Sequence, residues 1–340
     1  MDVLENELLK YHTTMKVGGP AKYFITANTI HELIEAYKFA KQKNLPLEVI
    51  GDGSNIIFTD SGFDGVVVKN NTKGFKLNSN GILKVNAGEK WDEVVKKSVQ
   101  ANFSGLESLS WIPGTVGGAP VNNIGAYGQE CKDTLLEIET LDTNSGNIIT
   151  LNNKQCNFSY RDSIFKSLNR HKYIILSVTF ALNKVSSGQQ YNIPNYKSLQ
   201  QKLIDLKINN PTIKDVRNAV IKLRKSKLPD PTKIPNTGSF FKNPIVSNIK
   251  YSLLLKKYSN MPAYSYSSTE KKLYSGWLLE TAGLKQYSCN GIGPYQKQAL
   301  VIANTKDGNY KDLEIVFKHI QKTVYDIFEI KLEIEPEIIK

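Results

Sequence analysis

The chain has 340 residues, enough for two or three domains, and its 40% hydrophobic and 22% charged content is ordinary for a soluble globular protein. It holds no run of eighteen apolar residues and opens on the acidic stretch MDVLENE, which argues against a membrane span or secretory signal and for the cytoplasm. The formal net charge of +12 invites nucleic acid as a partner, but only four of the 44 basic residues are arginine (Arg161, Arg170, Arg217, Arg224), so it reads as dispersed lysine on a solvated surface.

Residues 23–27 (YFITA) predict a strand, and 31–43 a helix with Leu33, Ile34, Tyr37 and Ala40 at helical spacing. Residues 47–50 lead as a strand into the turn sequence GDGSN at 51–55, and another apolar run begins at Ile56. Further strands are predicted at 65–69, 81–87 and 174–181, with a helix at 91–101. Residues 185–190 read as a polar hinge. A helix follows Pro211, with Thr212 and Asp215 in capping-box spacing and a buried stripe of Ile213, Val216, Val220 and Leu223. Residues 273–282 and 311–328 predict two more helices around a strand at 298–304. This order gives an α+β chain without internal repeats, a mixed cofactor half and a βα substrate half, divided near 185–210. Cys131, Cys156 and Cys289 are odd in number and far apart, which argues against a disulfide framework or a zinc site.

Two segments concentrate the chemistry. Residues 111–128 (WIPGTVGGAPVNNIGAYG) place five glycines among apolar residues, a pattern that lets a phosphate-bearing ligand approach bare backbone N–H groups. Residues 236–244 (NTGSFFKNP) set a small hydroxyl donor in an apolar wall bordering a polar ligand. The turn at 51–55 lacks the glycine and following helix of a dinucleotide fingerprint, so by itself it reads as a simple turn, with phosphate binding the alternative. Arg161, within YRDS at 160–163, reads alone as a surface ion pair. Glu335 and Glu337 fall on one face of a terminal strand, either an edge strand that tolerates proline or a catalytic pair.

Taken together and in order, these segments resemble the flavin-dependent UDP-N-acetylenolpyruvoylglucosamine reductases of bacterial peptidoglycan synthesis. The matching pieces are MKVGGPA at 15–21, GDGSN at 51–55, GLE at 105–107, IPGTVGGAPVNNIGAYG at 112–128, YRDS at 160–163, GSFFKNP at 238–244, GWLLE at 276–280, AGLK at 282–285, QAL at 298–300 and EPE at 335–337. Residues 196–199 look like the tyrosine loop of the longer form of that family, with Tyr191 as a competitor for Tyr196.

The resemblance implies a two-subdomain FAD-binding fold of the vanillyl-alcohol-oxidase type (1–65 and 66–205), a C-terminal α/β substrate-binding domain (206–325) and a strand returning to the active site (326–340). It implies noncovalent FAD, NADPH as cosubstrate and a UDP-sugar substrate; no metal is expected, and a monomer is expected because no amphipathic stripe is left over for a partner. The cofactor would lie against Gly51, Gly53, Ser54 and Asn55, and against Pro113, Gly114, Gly117, Gly118, Ala119, Asn122, Gly125 and Ala126. By the family pattern Ser239 is the proton donor to carbon, Arg161 the fixed cation and Glu337 the group assisting at the enolate oxygens. Tyr196, Lys227, Asn243 and Gln298 would line the site that the UDP-sugar and NADPH share. An FAD oxidase of the same fold, acting on a sugar or hydroxy acid, is the competing reading. Such enzymes often tether flavin through histidine, and residues 113–128 contain none. A basic nucleic-acid-binding protein, a third reading, would be colourless.

Overall fold

The computed structural model describes residues 1–166, 170–186 and 191–340. The chain forms two compact units, the first comprising Met1–Glu7, Ala21–Asp52 and Asp64–Ser226, the second Leu8–Pro20, Gly53–Phe63 and Lys227–Lys340.

The first unit is built on two sheets. One has the strand order Val3–Leu8, Pro20–Ala27, Phe63–Asn70, Leu47–Ile50, and its last two strands pair in parallel with Leu47 opposite Val66. Parallel neighbours need a crossover. The other sheet, Ile148–Asn152, Leu135–Asp142, Tyr173–Ala181, Ile82–Asn86, Phe75–Leu77, is antiparallel throughout. Helix Ile30–Gln42 starts where Thr29 accepts the Glu32 amide, and it buries Leu33, Ala36, Tyr37 and Ala40. That face packs with Ile25, Val66 and Val68 of the first sheet and with Leu141, Ile174 and Leu176 of the second, so one core joins them. Helix Trp91–Gln100 buries Trp91, Val94 and Val95 on the other side, with the Trp91 ring edge-on to Phe180 at 5.9 Å.

The predicted strands and the helices at 31–43 and 91–101 are all present, with ends shifted by up to three residues. Helix Ile213–Lys227 opens on the expected reciprocal cap: the Thr212 amide donates to Asp215 (2.9 Å), and the Asp215 amide donates to the Thr212 hydroxyl (3.3 Å). Its buried face holds Ile213, Val216, Ala219 and Val220, and also Arg217, which the apolar stripe did not include. Of the predicted hinge at 185–190, residues 187–190 lie outside the described residues.

The second unit joins a sheet of Asn236–Ser239, Gln298–Asn304 and Ile292–Tyr295 to a smaller one of Ile245–Ser247, Glu270–Leu273 and Ala263–Ser265. Helices Asn248–Lys257, Ser275–Thr281 and Tyr310–Phe328 complete it. The helix predicted over 273–282 is shorter: Glu270–Leu273 is a strand opposite Ile245–Ser247, and the helix begins only at Ser275. Cross-strand pairing outweighs the helical spacing of an isolated Leu273.

Two stretches distant in sequence belong to this unit. Met15, Val17 and Ile57 are buried in one core with Phe240, Phe241, Leu278, Ile302 and Phe317. Strand Ile56–Phe58 pairs in parallel with the terminal strand Glu337–Ile339. Asp60 accepts the Tyr310 and Lys311 amides at 2.8 and 3.0 Å, beside the reciprocal Asn309–Asp312 cap, so the long helix starts on two carboxylates. Among the described residues no helix is long and apolar enough to cross a membrane. Replacing Asn309 with Ala removes one cap bond and should lower unfolding stability by about 1 kcal/mol, seen as a lower urea midpoint at unchanged slope.

Candidate active site

In the first unit the glycine-rich segment is anchored before it begins. Trp111 adopts left-handed backbone (φ 58°), its N–H donating to Asp92 at 2.6 Å and its carbonyl accepting from Arg224 Nε at 3.1 Å. Gly114, at φ 114°, accepts the Trp91 amide. The amides of Val116, Gly117, Gly118 and Ala119 donate to Glu89, Ala87, Thr115 and Val116. These four donors are therefore engaged, and the expectation of bare N–H groups does not hold at 116–119.

The glycines serve packing and clearance instead. A Cβ on Gly117 would lie 2.8 Å from the Ala87 Cβ, and one on Gly51 would lie 2.1 Å from Thr115 Oγ1. Gly118 is different: it is exposed, and a Cβ there would meet nothing within 4 Å. Pro113 is exposed, whereas Ala119 is buried. Asn122 is buried too, and Lys166 donates to its side-chain oxygen at 2.7 Å. Gly125 and Ala126 form one side of a short hairpin against Gln129–Glu130.

Arg161 is half-buried. Its Nη2 donates to the Gly125 carbonyl at 3.0 Å, and a Cβ on Gly125 would come within 3.2 Å of Nη1. Burial, followed by favourable Tyr127 and Asp92 and opposing Arg161, leaves Arg224 less basic than an ordinary arginine. Two cations thus converge on the segment, an arrangement that favours an anion.

Tyr196 packs its ring against Tyr127 at 5.4 Å. The competing Tyr191 instead donates its hydroxyl to the Glu107 carboxylate, which also accepts the Gly105 and Leu106 amides. Burial pushes the Cys156 thiol up to about 12 and raises Cys131 further, so neither supplies a thiolate near neutral pH.

In the second unit Gly53 (φ 64°) turns the chain so tightly that a Cβ would sit 2.2 Å from the His12 carbonyl. Ser54 and Asn55 follow, and a strand, not a helix, comes next. The Asn236 side chain accepts the Gly238 amide at 2.8 Å, and the register slips between Asn236 and Ser239. Gly238 is left-handed (φ 72°), and a Cβ there would meet nothing within 4 Å, so the approach to Ser239 is open. Behind it Phe240 and Phe241 are fully buried, with rings 5.2 Å apart. The Thr237 hydroxyl is buried and has no hydrogen-bond partner among the described residues.

The Glu335 amide donates to the Phe240 carbonyl at 2.9 Å, and the Glu337 amide to the Asn55 carbonyl at 3.0 Å. The terminal segment is therefore paired on the Ser239 strand and on the 51–55 turn, and not a lone edge. Asn243 Oδ1 accepts the Ser275 amide at 3.0 Å, at the start of helix Ser275–Thr281. Gln298 Oε1 lies 3.1 Å from where a Gly276 Cβ would stand. Lys227 ends helix Ile213–Lys227.

Gly51, residues 113–126, Arg161 and Tyr196 thus lie in the first unit, and Gly53, Ser54, Asn55, Lys227, Ser239, Asn243, Gln298 and Glu337 in the second. Sequence reasoning missed Thr14, whose hydroxyl donates to the Asn236 carbonyl at 2.6 Å. It also missed Asp92; a carboxylate in a first helical turn reads as an ordinary dipole partner. Open space at Gly118, in a segment that holds Arg161 at Gly125 and Arg224 at Trp111, suits an anionic cofactor such as FAD.

The pattern described as "FAD binding domain" matches residues 21–152, and that described as "UDP-N-acetylenolpyruvoylglucosamine reductase, C-terminal domain" matches 230–339. The chain is 38% identical to the UDP-N-acetylenolpyruvoylglucosamine reductase of Flavobacterium johnsoniae and 39% identical to that of Buchnera aphidicola, each over 100% of both chains. The fold is similar to the crystal structure of the corresponding reductase from Thermus caldophilus, with a TM-score of 0.71 and 24% identity over 100% of each chain. The Cβ that Gly118→Val adds meets no protein atom within 4 Å, and the variant should keep nearly the wild-type melting temperature as apoprotein. It should weaken FAD binding about tenfold or more, measured by quenching of flavin fluorescence.

Proposed function

The chain belongs to the UDP-N-acetylenolpyruvoylglucosamine reductases, and from that premise we propose how its own residues carry the NADPH-dependent reduction of the enolpyruvyl UDP-sugar to UDP-N-acetylmuramate in peptidoglycan precursor synthesis. Full-length similarity at 38% identity is the observation that carries the activity. FAD bound here and reduced by NADPH would supply hydride to the terminal methylene carbon of the substrate. The residues proposed to hold it are Gly51, Gly53, Ser54 and Asn55 with Pro113, Gly114, Gly117, Gly118, Ala119, Asn122, Gly125 and Ala126.

Hydride addition drives negative charge toward the substrate carboxylate, making an enolate. Arg161 stays charged and can grip a carboxylate with two donors; its backbone is left-handed (φ 56°) and its bond to Gly125 directs the guanidinium. Ser239 protonates the neighbouring carbon. A hydroxyl is a weak acid, so this works only against a strongly basic enolate and at fixed geometry, which the Asn236–Gly238 bond and the open Gly238 support. Glu337 assists at the enolate oxygens, where its protonated form could donate a hydrogen bond. Lys227 supplies point charge to a diphosphate, with Tyr196, Asn243 and Gln298 lining the same site.

The packing of Tyr196 on Tyr127 supports the longer, tyrosine-loop form of the family. By function the chain divides into 1–65 and 66–205 for the cofactor, 206–325 for the substrate and 326–340 as the returning strand. NADPH and a nucleotide-sugar place the reaction in the cytoplasm, and we take the chain to act as a monomer, without nucleic acid or metal.

Ser239→Ala should leave NADPH-to-flavin transfer nearly intact and slow substrate reduction by about 10²–10⁴. Anaerobic stopped-flow of the two half-reactions checks this, and equal loss in both would mean a structural serine. Lys227→Ala should weaken NADPH and the UDP-sugar alike, seen as matched rises in both KM values; a rise in only one would refute a shared site.

A further inference from the structure

Arg217 lies on helix Ile213–Lys227 at a position its apolar stripe should exclude, yet it is 8% exposed. Its guanidinium forks onto Asp92, Nη1 to Oδ1 at 2.7 Å and Nη2 to Oδ2 at 2.9 Å, and Nη1 also donates to the Ser110 hydroxyl at 2.8 Å. Ser110 in turn donates to the Glu107 carbonyl at 2.6 Å. The Asp92 oxygen that accepts Arg217 Nη1 also accepts the Trp111 amide at 2.6 Å. Two helical turns after Arg217, Arg224 donates to the Trp111 carbonyl at 3.1 Å. Both polar backbone atoms of Trp111 are therefore held, one through each arginine, and Trp111 is left-handed at φ 58°. A bulky residue keeps that conformation only where its surroundings over-determine it.

The direction in which the chain leaves Trp111 decides where Pro113 and Gly114 go, because proline fixes its own φ and the next bond begins the segment. We propose that Arg217 and Asp92 are positioning residues for the cofactor: their ion pair locks Trp111 left-handed and so presets residues 113–126 before FAD binds. This rests on the reading that those residues wall the FAD. Burial alone would raise the Asp92 carboxyl, but the Arg217 and Trp111 donors and the Arg224 charge hold it below the usual carboxylate range, so the pair is ionised at neutral pH. Breaking the pair leaves the buried Arg217 charge uncompensated. A site that must then order its wall on binding loses affinity.

The test is FAD titration of folded apoprotein well below its melting temperature, where a purely structural defect does not change the dissociation constant. Arg217→Lys keeps the charge but loses the fork, and Asp92→Asn keeps an acceptor for the Trp111 amide but loses the pair. Each should raise the FAD dissociation constant about tenfold or more. Trp111→Gly removes the need for the lock, since glycine is left-handed without penalty. In that background the Arg217→Lys loss should shrink severalfold. Wild-type affinity in Arg217→Lys or Asp92→Asn, with Gly118→Val still weakened, would overturn the lock while sparing the cofactor wall. Equal losses with and without Trp111 would show that Trp111 does not transmit the effect, and would also overturn it. Wild-type affinity in Gly118→Val would remove the wall itself, and the proposal with it. If Arg217→Lys does not fold, Asp92→Asn carries the same comparison.

Discussion

Backbone pairing holds the second unit's site residues as neighbours. The bond from Glu335 to Phe240 fastens the terminal segment to the Ser239 strand, and the bond from Glu337 to Asn55 fastens it to the turn. Three regions far apart in sequence are thereby joined, the turn and the terminal segment also by the parallel ladder of Ile56–Phe58 with Glu337–Ile339. Each such bond has modest net worth, but an unmade backbone group in a buried strand is costly, so the ladder forms as a set. The side chains of Ser239 and Glu337 then inherit fixed positions.

The glycines follow a different logic from the one their number suggests. A phosphate-cradling loop offers unpaired amides, yet the amides at 116–119 donate within the protein. Gly51 and Gly117 are glycine because other atoms occupy the space of a Cβ, and Gly118 is glycine beside open space. Only the last leaves room that a ligand can use. Gly125 adds a third purpose, clearing the approach of the Arg161 guanidinium to its carbonyl.

Charge is divided the same way. The net +12 is carried mostly by lysines, many in exposed ion pairs such as Lys22–Asp64 and Lys318–Glu314, which contribute little to stability. Arginine is scarce: Arg217 forks onto Asp92, while Arg161 and Arg224 each donate to one backbone carbonyl, those of Gly125 and Trp111.

Sequence by itself determined the local elements and the identity of the chemistry. Short apolar runs bounded by turn residues marked the strands, Thr212 with Asp215 marked a helix start, and ordered motifs from residue 15 to residue 337 marked the family, because propensity, caps and motif spacing are local properties. Tertiary structure alone decided which segments share a core. Residues 8–20 and 53–63 pack with the C-terminal unit, Leu273 joins a strand rather than a helix, and Arg217 is buried on an otherwise apolar stripe. No single-residue preference encodes these outcomes. Each depends on a partner distant in the chain, a carboxylate at 92, a strand at 245–247 or a ladder at 337–339, and that partner's position exists only once the chain has folded.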